Sequence, residues 1–221
     1  LPPSSAASDV YKRQSLLTGR YSLRTGVTDT YNGGAIMSSS EITLAEIFAE
    51  KNYKTGIFGK WHLGDNYPSR PSDQGFQESL IHLAGGIGQV GDFTNYYAGN
   101  ESYYDPALWH NNEIKKYEGY CSDIFTDEAL KFIEQNKSNQ FFCYLSFNAP
   151  HTPLQVPEKY YDLYKGIDPS NFYEEVTYEM TERDVNDAKK IYGMVTNIDE
   201  NFGKLLYLSL IHISEPTRHT S

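Results

Sequence analysis

Apolar residues fall into two kinds of pattern along this chain, and each predicts a different element. Over residues 41–53, EITLAEIFAEKNY, Leu44, Ile47 and Phe48 sit at i, i+3 and i+4 behind Thr43, which predicts an amphipathic helix with a threonine cap. KTGIFGK follows as a short strand, ending where Gly59 lets the chain turn. Residues 122–136 predict a second helix, with Ile124, Leu130 and Ile133 on its apolar face. FFCYLSF, residues 141–147, is an uninterrupted apolar run and predicts a central strand covered on both faces. A short helix is expected over 157–164, with Pro157 at its first turn. Residues 181–207 carry Ile191, Val195, Ile198, Phe202 and Leu205, spaced alternately four and three apart, which predicts a long helix with one buried stripe.

Residues 64–120 have little periodicity and are rich in Gly, Asn, Tyr and Pro, so they are expected to be mostly loop. Such a long irregular stretch inside a compact domain is more often functional than idle. The order helix, strand, loop, helix, strand, loop, helix predicts an α/β fold with helices flanking the strands. No repeat and no clear domain boundary interrupts it.

The two ends stand apart from this pattern. DVYKRQ, residues 9–14, has one legal codon choice, GAT GTG TAT AAG AGA CAG, whose reverse complement translates as LSLIHI. That string stands at residues 208–213. Opposite strands of one DNA word at the two ends point to sequencing-library adapter carried into translation. Residues 1–14 and 208–221 are therefore expected to be foreign, and 15–207 to be the native part.

Composition narrows the partners. A net charge of -10 with no Lys/Arg cluster argues against nucleic acid, because phosphate binding needs cationic side chains. With 39% hydrophobic and 14% aromatic residues the chain can bury a core, yet no apolar run approaches the ~18 residues of a membrane span. Cys121 and Cys143 have no metal-ligand spacing, and Cys143, inside the apolar run, reads as a small core residue.

The most informative stretch is FGKWHLG, residues 58–64. It follows a strand, where α/β proteins place ligand-binding groups. In extended chain Lys60 and His62 point to one side and Trp61 to the other. A fixed cation beside an imidazole suits an anionic tetrahedral group. The second candidate is NAPHTPLQVP, residues 148–157, where three prolines stiffen the chain around His151. Lys60, His62 and His151 are expected to converge on one point. His82 and His110 fall in the irregular region and are weaker candidates. LAGGIGQVGDFTN and DPALWHNN are expected either to line a mouth suited to a sugar ring or simply to pack on the scaffold.

SLLTGRYSLRTGV, GKWHLG, FFCYLSFNAPHTPLQVPEKYYDLY and YGMVTNIDENFGKLL, in this order, resemble a sulfatase of the arylsulfatase type across essentially all of 15–207. The resemblance implies an alkaline-phosphatase-like large mixed sheet flanked by helices, here part of the N-terminal domain. It also implies hydrolysis of sulfate monoesters, on a sulfated small molecule or glycan, with calcium and a formylglycine made from Cys or Ser. By the same resemblance Lys60 and His62 contact the sulfate and the formylglycine hydroxyl. His151 holds the sulfate and protonates the leaving alcohol. Asp9 falls at the formylglycine position, and the family's calcium ligands and a further sulfate-binding lysine lie outside this sequence. The chain as written is therefore expected to be inactive. A periplasmic or secreted location is implied too. Two other readings stay open: a phosphomonoesterase or phosphonate hydrolase of the same superfamily, and a non-catalytic glycan-binding relative.

Overall fold

A computed structural model describes residues 5–30, 34–89, 91–95, 102–172 and 179–214. They form two compact units, residues 1–148 and 149–221, a division that the sequence pattern did not signal.

The first unit begins with α1 (Ser5–Thr18), which buries Val10 and Leu17. α2 (Leu44–Glu50) starts where expected. The Glu46 N–H donates to Thr43 Oγ1 at 3.2 Å, and the Thr43 N–H donates to the Glu46 carboxylate at 2.8 Å. This reciprocal pair satisfies two amides that have no partner within the helix. β1 (Lys54–Lys60) follows, then β2 (Glu78–His82), β3 (Ala107–His110), β4 (Glu113–Lys116), α3 (Cys121–Asn136) and β5 (Phe141–Ser146).

The five strands form one mixed sheet in the order β4-β3-β2-β1-β5, with β1 parallel to β2 and β5, and β3 antiparallel to both its neighbours. Helices cover both faces. α3 packs on one side through Phe58–Phe132 and His82–Phe125 ring contacts. α2 packs on the other, where Phe48 stacks on Phe142 at 4.8 Å. The main core lies on this second side, around Val10, Leu17, Ile57, Trp61, Leu63, Phe76 and Ile81.

Two expectations are corrected here. Residues 64–120 are mostly loop as expected, yet they also supply three of the five strands, which the sequence pattern did not signal. β3 and β4 are joined through Asn111 and Asn112 at φ 49° and 68°, the left-handed pair that closes a tight hairpin. DPALWHNN is thus a strand and its turn. β5, in turn, is an edge strand, pairing only with β1 among the described residues, and most of it is half-buried. It reads as fully apolar because helices cover both of its faces, which is a separate matter from how many strands flank it.

Burial decides the chemistry of the two cysteines. Cys121 opens α3, a position that favours a thiolate, but complete burial pushes its thiol well above the ordinary value. Burial also pushes Cys143 up to about 12. Neither forms a disulfide. At pH 8 Cys121 is expected to react with a disulfide reagent such as DTNB only after unfolding in urea. Fast labelling of Cys121 in the native chain would contradict this burial.

The second unit holds α4 (Glu158–Tyr161) and α5 (Glu182–Ser214). Tyr160 donates to Glu200 and Tyr161 to Asn186, each at 2.7 Å, fastening α4 to α5. α5 is long, as expected, but its buried stripe is Met194, Asn197 and Asn201, while Val195 and Phe202 are exposed. Gly193 fixes this rotation. A Cβ there would come within 2.9 Å of Val156 Cγ2 and 3.2 Å of the Tyr160 backbone, so this face alone can approach α4 closely. Among the described residues no helix is long and apolar enough to cross a membrane.

Candidate active site

In a parallel sheet the strand ends that carry ligand groups are the carboxyl ends, and here three of them lie side by side. Lys60 closes β1 and His82 closes β2, and the two are partners in the ladder. Lys60 is 2% exposed and His82 is fully buried. His82 therefore belongs at a strand end, not in an irregular region. Ser146, at the end of β5, donates its hydroxyl to the Lys60 carbonyl at 2.8 Å, tying the third strand end to the first. That approach is close because Gly59 has no Cβ: one built there would stand 1.9 Å from the Ser146 carbonyl oxygen.

Beyond Lys60 the ladder continues for two amides, with Trp61 N–H donating to the His82 carbonyl and His62 N–H to that of Leu83, both at 3.1 Å. Trp61 is completely buried and donates its indole N–H to the Ser69 carbonyl at 3.0 Å. His62 then takes φ 55°, so the regular alternation of an extended strand does not carry through it. Its ring is held from two sides. Nε2 lies 2.8 Å from the Thr30 carbonyl oxygen. A carbonyl can only accept, so Nε2 carries the proton. Against the ring lies Gly85, where a Cβ would fall 2.6 Å from Cε1.

Gly85→Ala is therefore expected to displace the imidazole and break the Thr30 bond while costing only about 1 kcal/mol of stability, since a side-chain end is what must move. Nitrogen NMR of His62 would lose the Nε2–H tautomer signature. An unchanged tautomer would show that Gly85 does not set the ring.

His151 belongs to the second unit. Its Nδ1 donates to the Thr152 carbonyl at 2.7 Å. His110 sits within β3, level with Leu80 and two residues short of the carboxyl edge, and its Nδ1 is 2.6 Å from the Tyr117 hydroxyl. It pairs within the hairpin, apart from the strand ends, and burial lowers its pKa. The segment after β2 is anchored by Asp92, which accepts from the Gly88 amide at 2.7 Å and from Thr94, and by Asn95, which bonds the backbone of Ala107 in both directions. These contacts favour packing on the scaffold for LAGGIGQVGDFTN. Val90 and the YYAGN that follows lie outside the described residues.

Asn148, two residues beyond Ser146, is 5% exposed and lies 2.5 Å from the hydroxyl of the buried Tyr103. Sequence reading passed over it as the first letter of the proline-rich stretch. An amide directly after an apolar strand was the available signal.

With helices on both faces of a mixed sheet and its cationic groups at the carboxyl edge, the fold is of the alkaline-phosphatase-like class. Residues 10–208 match the family model described as Sulfatase, and the chain belongs to that family. It is 29% identical over 170 residues to the N-acetylglucosamine-6-O-sulfatase of Bacteroides thetaiotaomicron, which covers 74% of this chain and 26% of that protein. Similarity to the ulvan-active sulfatase of Formosa agariphila is 28% over 208 residues, covering 88% and 36%. The crystal structure of Ps i-CgsB in complex with k-i-k-neocarrahexaose superposes with a TM-score of 0.71 at 28% identity, over 91% of this chain and 44% of that one. The chain thus spans only about a quarter to a third of the length of these two curated relatives.

Asp9, at the position that would become formylglycine, has neither the thiol nor the hydroxyl from which an aldehyde is made. Among the described residues no three His, Cys, Asp or Glu side chains come together to hold a metal ion. The described residues fit neither group.

Proposed function

We propose that this chain is part of a sulfuric ester hydrolase acting on a sulfated glycan, and that Lys60, His62 and His151 act on the sulfuryl group. The observation that carries this reading is a lysine 2% exposed at the carboxyl end of β1, in register with a buried histidine on β2. An ammonium withdrawn from water is costly unless an anion or strong dipoles compensate it. Lys60 supplies fixed charge to the sulfuryl oxygens, where negative charge grows as the ester breaks. His62, its ring held through Nε2 by the Thr30 carbonyl, contacts the sulfuryl group beside Lys60. His151, whose Nδ1 donates to the Thr152 carbonyl, is the acid that protonates the leaving alcohol. The sulfated-glycan substrate is proposed by analogy with the two bacterial relatives, an N-acetylglucosamine-6-O-sulfatase and an ulvan-active sulfatase. Residues 1–14 and 208–221 stay, on this reading, adapter translation, and the chain as written does not turn over sulfate esters.

Calorimetric titration with sodium sulfate at constant ionic strength tests the anion site. The 221-residue chain is expected to bind sulfate, and Lys60→Met to weaken it about 10- to 100-fold, as befits loss of a charged hydrogen bond. Sulfate binding unchanged in Lys60→Met would overturn the assignment. A strong preference for phosphate would favour the phosphomonoesterase reading. p-Nitrophenyl sulfate is expected to stay intact with or without calcium. In the natural gene, Cys or Ser followed by x-Pro-Ser-Arg ahead of SLLTGR would fit the sulfatase, whereas a residue that cannot be oxidised would favour a glycan-binding relative.

A further inference from the structure

The segment that follows β2 hides its polar side chains and shows an aromatic one. Asp92 and Asn95 are each 3% exposed, while Phe93 between them is 83% exposed. Asp92 accepts from the Gly88 amide and from the Thr94 hydroxyl, both at 2.7 Å, and its own amide donates to the Gln89 carbonyl at 2.9 Å. Asn95 donates to the Ala107 carbonyl at 2.9 Å and accepts from the Ala107 amide at 2.8 Å. The chain is thus held on both sides of Phe93, and the ring stands out from a fixed base. A single exposed apolar residue is ordinary on a protein surface. One displayed between two buried polar anchors is not, because a polar side chain there would serve the loop as well and hydrate better.

The anchors also fix where the ring stands. β3 runs antiparallel to β2, with Leu80 opposite His110 and Ile81 opposite Trp109. Extending this register to Ala107 sets it level with Leu83, one position past His82 at the carboxyl edge. The Leu83 carbonyl accepts from the His62 N–H, and Gly85 lies against the His62 ring. Phe93 is therefore tied, through Asn95 and Ala107, to the same edge of the sheet as Lys60 and His62.

Charge narrows what the ring can meet. The chain carries a net charge of -10, so a sulfated ligand gains nothing from the overall field of the protein. Contacts beyond the one sulfuryl group at Lys60 have to be uncharged. The face of an aromatic ring is electron-rich, and the C–H bonds along one face of a pyranose are its electropositive counterpart. A fixed aromatic ring also offers a large contact area at little cost in conformational entropy. We infer that Phe93 is a sugar-stacking residue, forming a subsite for a pyranose ring of the glycan whose sulfuryl group lies at Lys60. The inference rests on the sulfated-glycan reading proposed above.

The test is calorimetric titration of the full 221-residue chain with sodium sulfate and, separately, with three saccharides: N-acetylglucosamine 6-sulfate, an ulvan oligosaccharide and k-i-k-neocarrahexaose. At least one saccharide is expected to bind the wild-type chain about tenfold tighter than sulfate does. Phe93→Ala is expected to lose about 3- to 10-fold in affinity for that saccharide, the range of an aromatic stacking contact, with sulfate affinity and melting temperature unchanged. Phe93→Trp should keep the gain or enlarge it. Saccharide affinity unchanged in Phe93→Ala overturns this inference and leaves the anion site standing. So does a wild-type chain that binds sulfate but none of the saccharides more tightly. A Phe93→Ala variant that sediments as a smaller species, with saccharide affinity unchanged, assigns the ring to a contact between two copies and likewise overturns the subsite. A wild-type chain that binds neither sulfate nor any saccharide overturns both the subsite and the anion site.

Discussion

Gly59→Ala is expected to break the sheet at β1. A Cβ at this position stands 1.9 Å from the Ser146 carbonyl oxygen and 2.6 Å from its carbonyl carbon, both backbone atoms that cannot swing aside. Relief requires β1 and β5 to separate, which sacrifices the parallel ladder from Lys54–Phe141 through Gly59–Ser146. Overpacking of this kind costs about 1–3 kcal/mol or more, and the φ of 123° adds about 1–2 for an L side chain. Against the 5–15 kcal/mol that stabilises a typical domain, the variant loses a large part of its margin. Urea denaturation followed by circular dichroism should show a midpoint well below that of the wild-type chain, or no cooperative transition. A wild-type midpoint would mean that β5 does not approach β1 as closely as described.

Trp61→Ala is expected to cost about 3–5 kcal/mol, the range for deleting a buried aromatic ring. Trp61 is the largest fully buried side chain, meets Phe76 edge-on at 6.1 Å and belongs to the cluster that joins α1, β1 and β2. The substitution also leaves the buried Ser69 carbonyl without its indole donor. Trp61→Phe separates the two effects. It keeps most of the volume and should lose only about 1–2 kcal/mol, chiefly for the orphaned carbonyl. Because Trp61 lies between Lys60 and His62, the Ala variant should also disorder both. Equal melting temperatures for the Ala and Phe variants would show that packing around the ring contributes little.

The sequence by itself determined the elements that local periodicity specifies: α2 with its Thr43–Glu46 cap, β1, the residues of β5, and the long α5. It also picked out GKWHLG and NAPHTP, because close-spaced cationic groups and prolines are local properties. Tertiary structure decided the rest. The edge position of β5 depends on which strands pair, and an apolar run reports only covered faces. The strands β2 to β4 escaped notice because two of them are four residues long and depend on neighbours for most of their hydrogen bonds. The inward face of α5 turned on where Gly193 meets α4, since two adjacent helical stripes both carry apolar residues. His82 acquires meaning only at the carboxyl edge, where parallel pairing sets it level with Lys60.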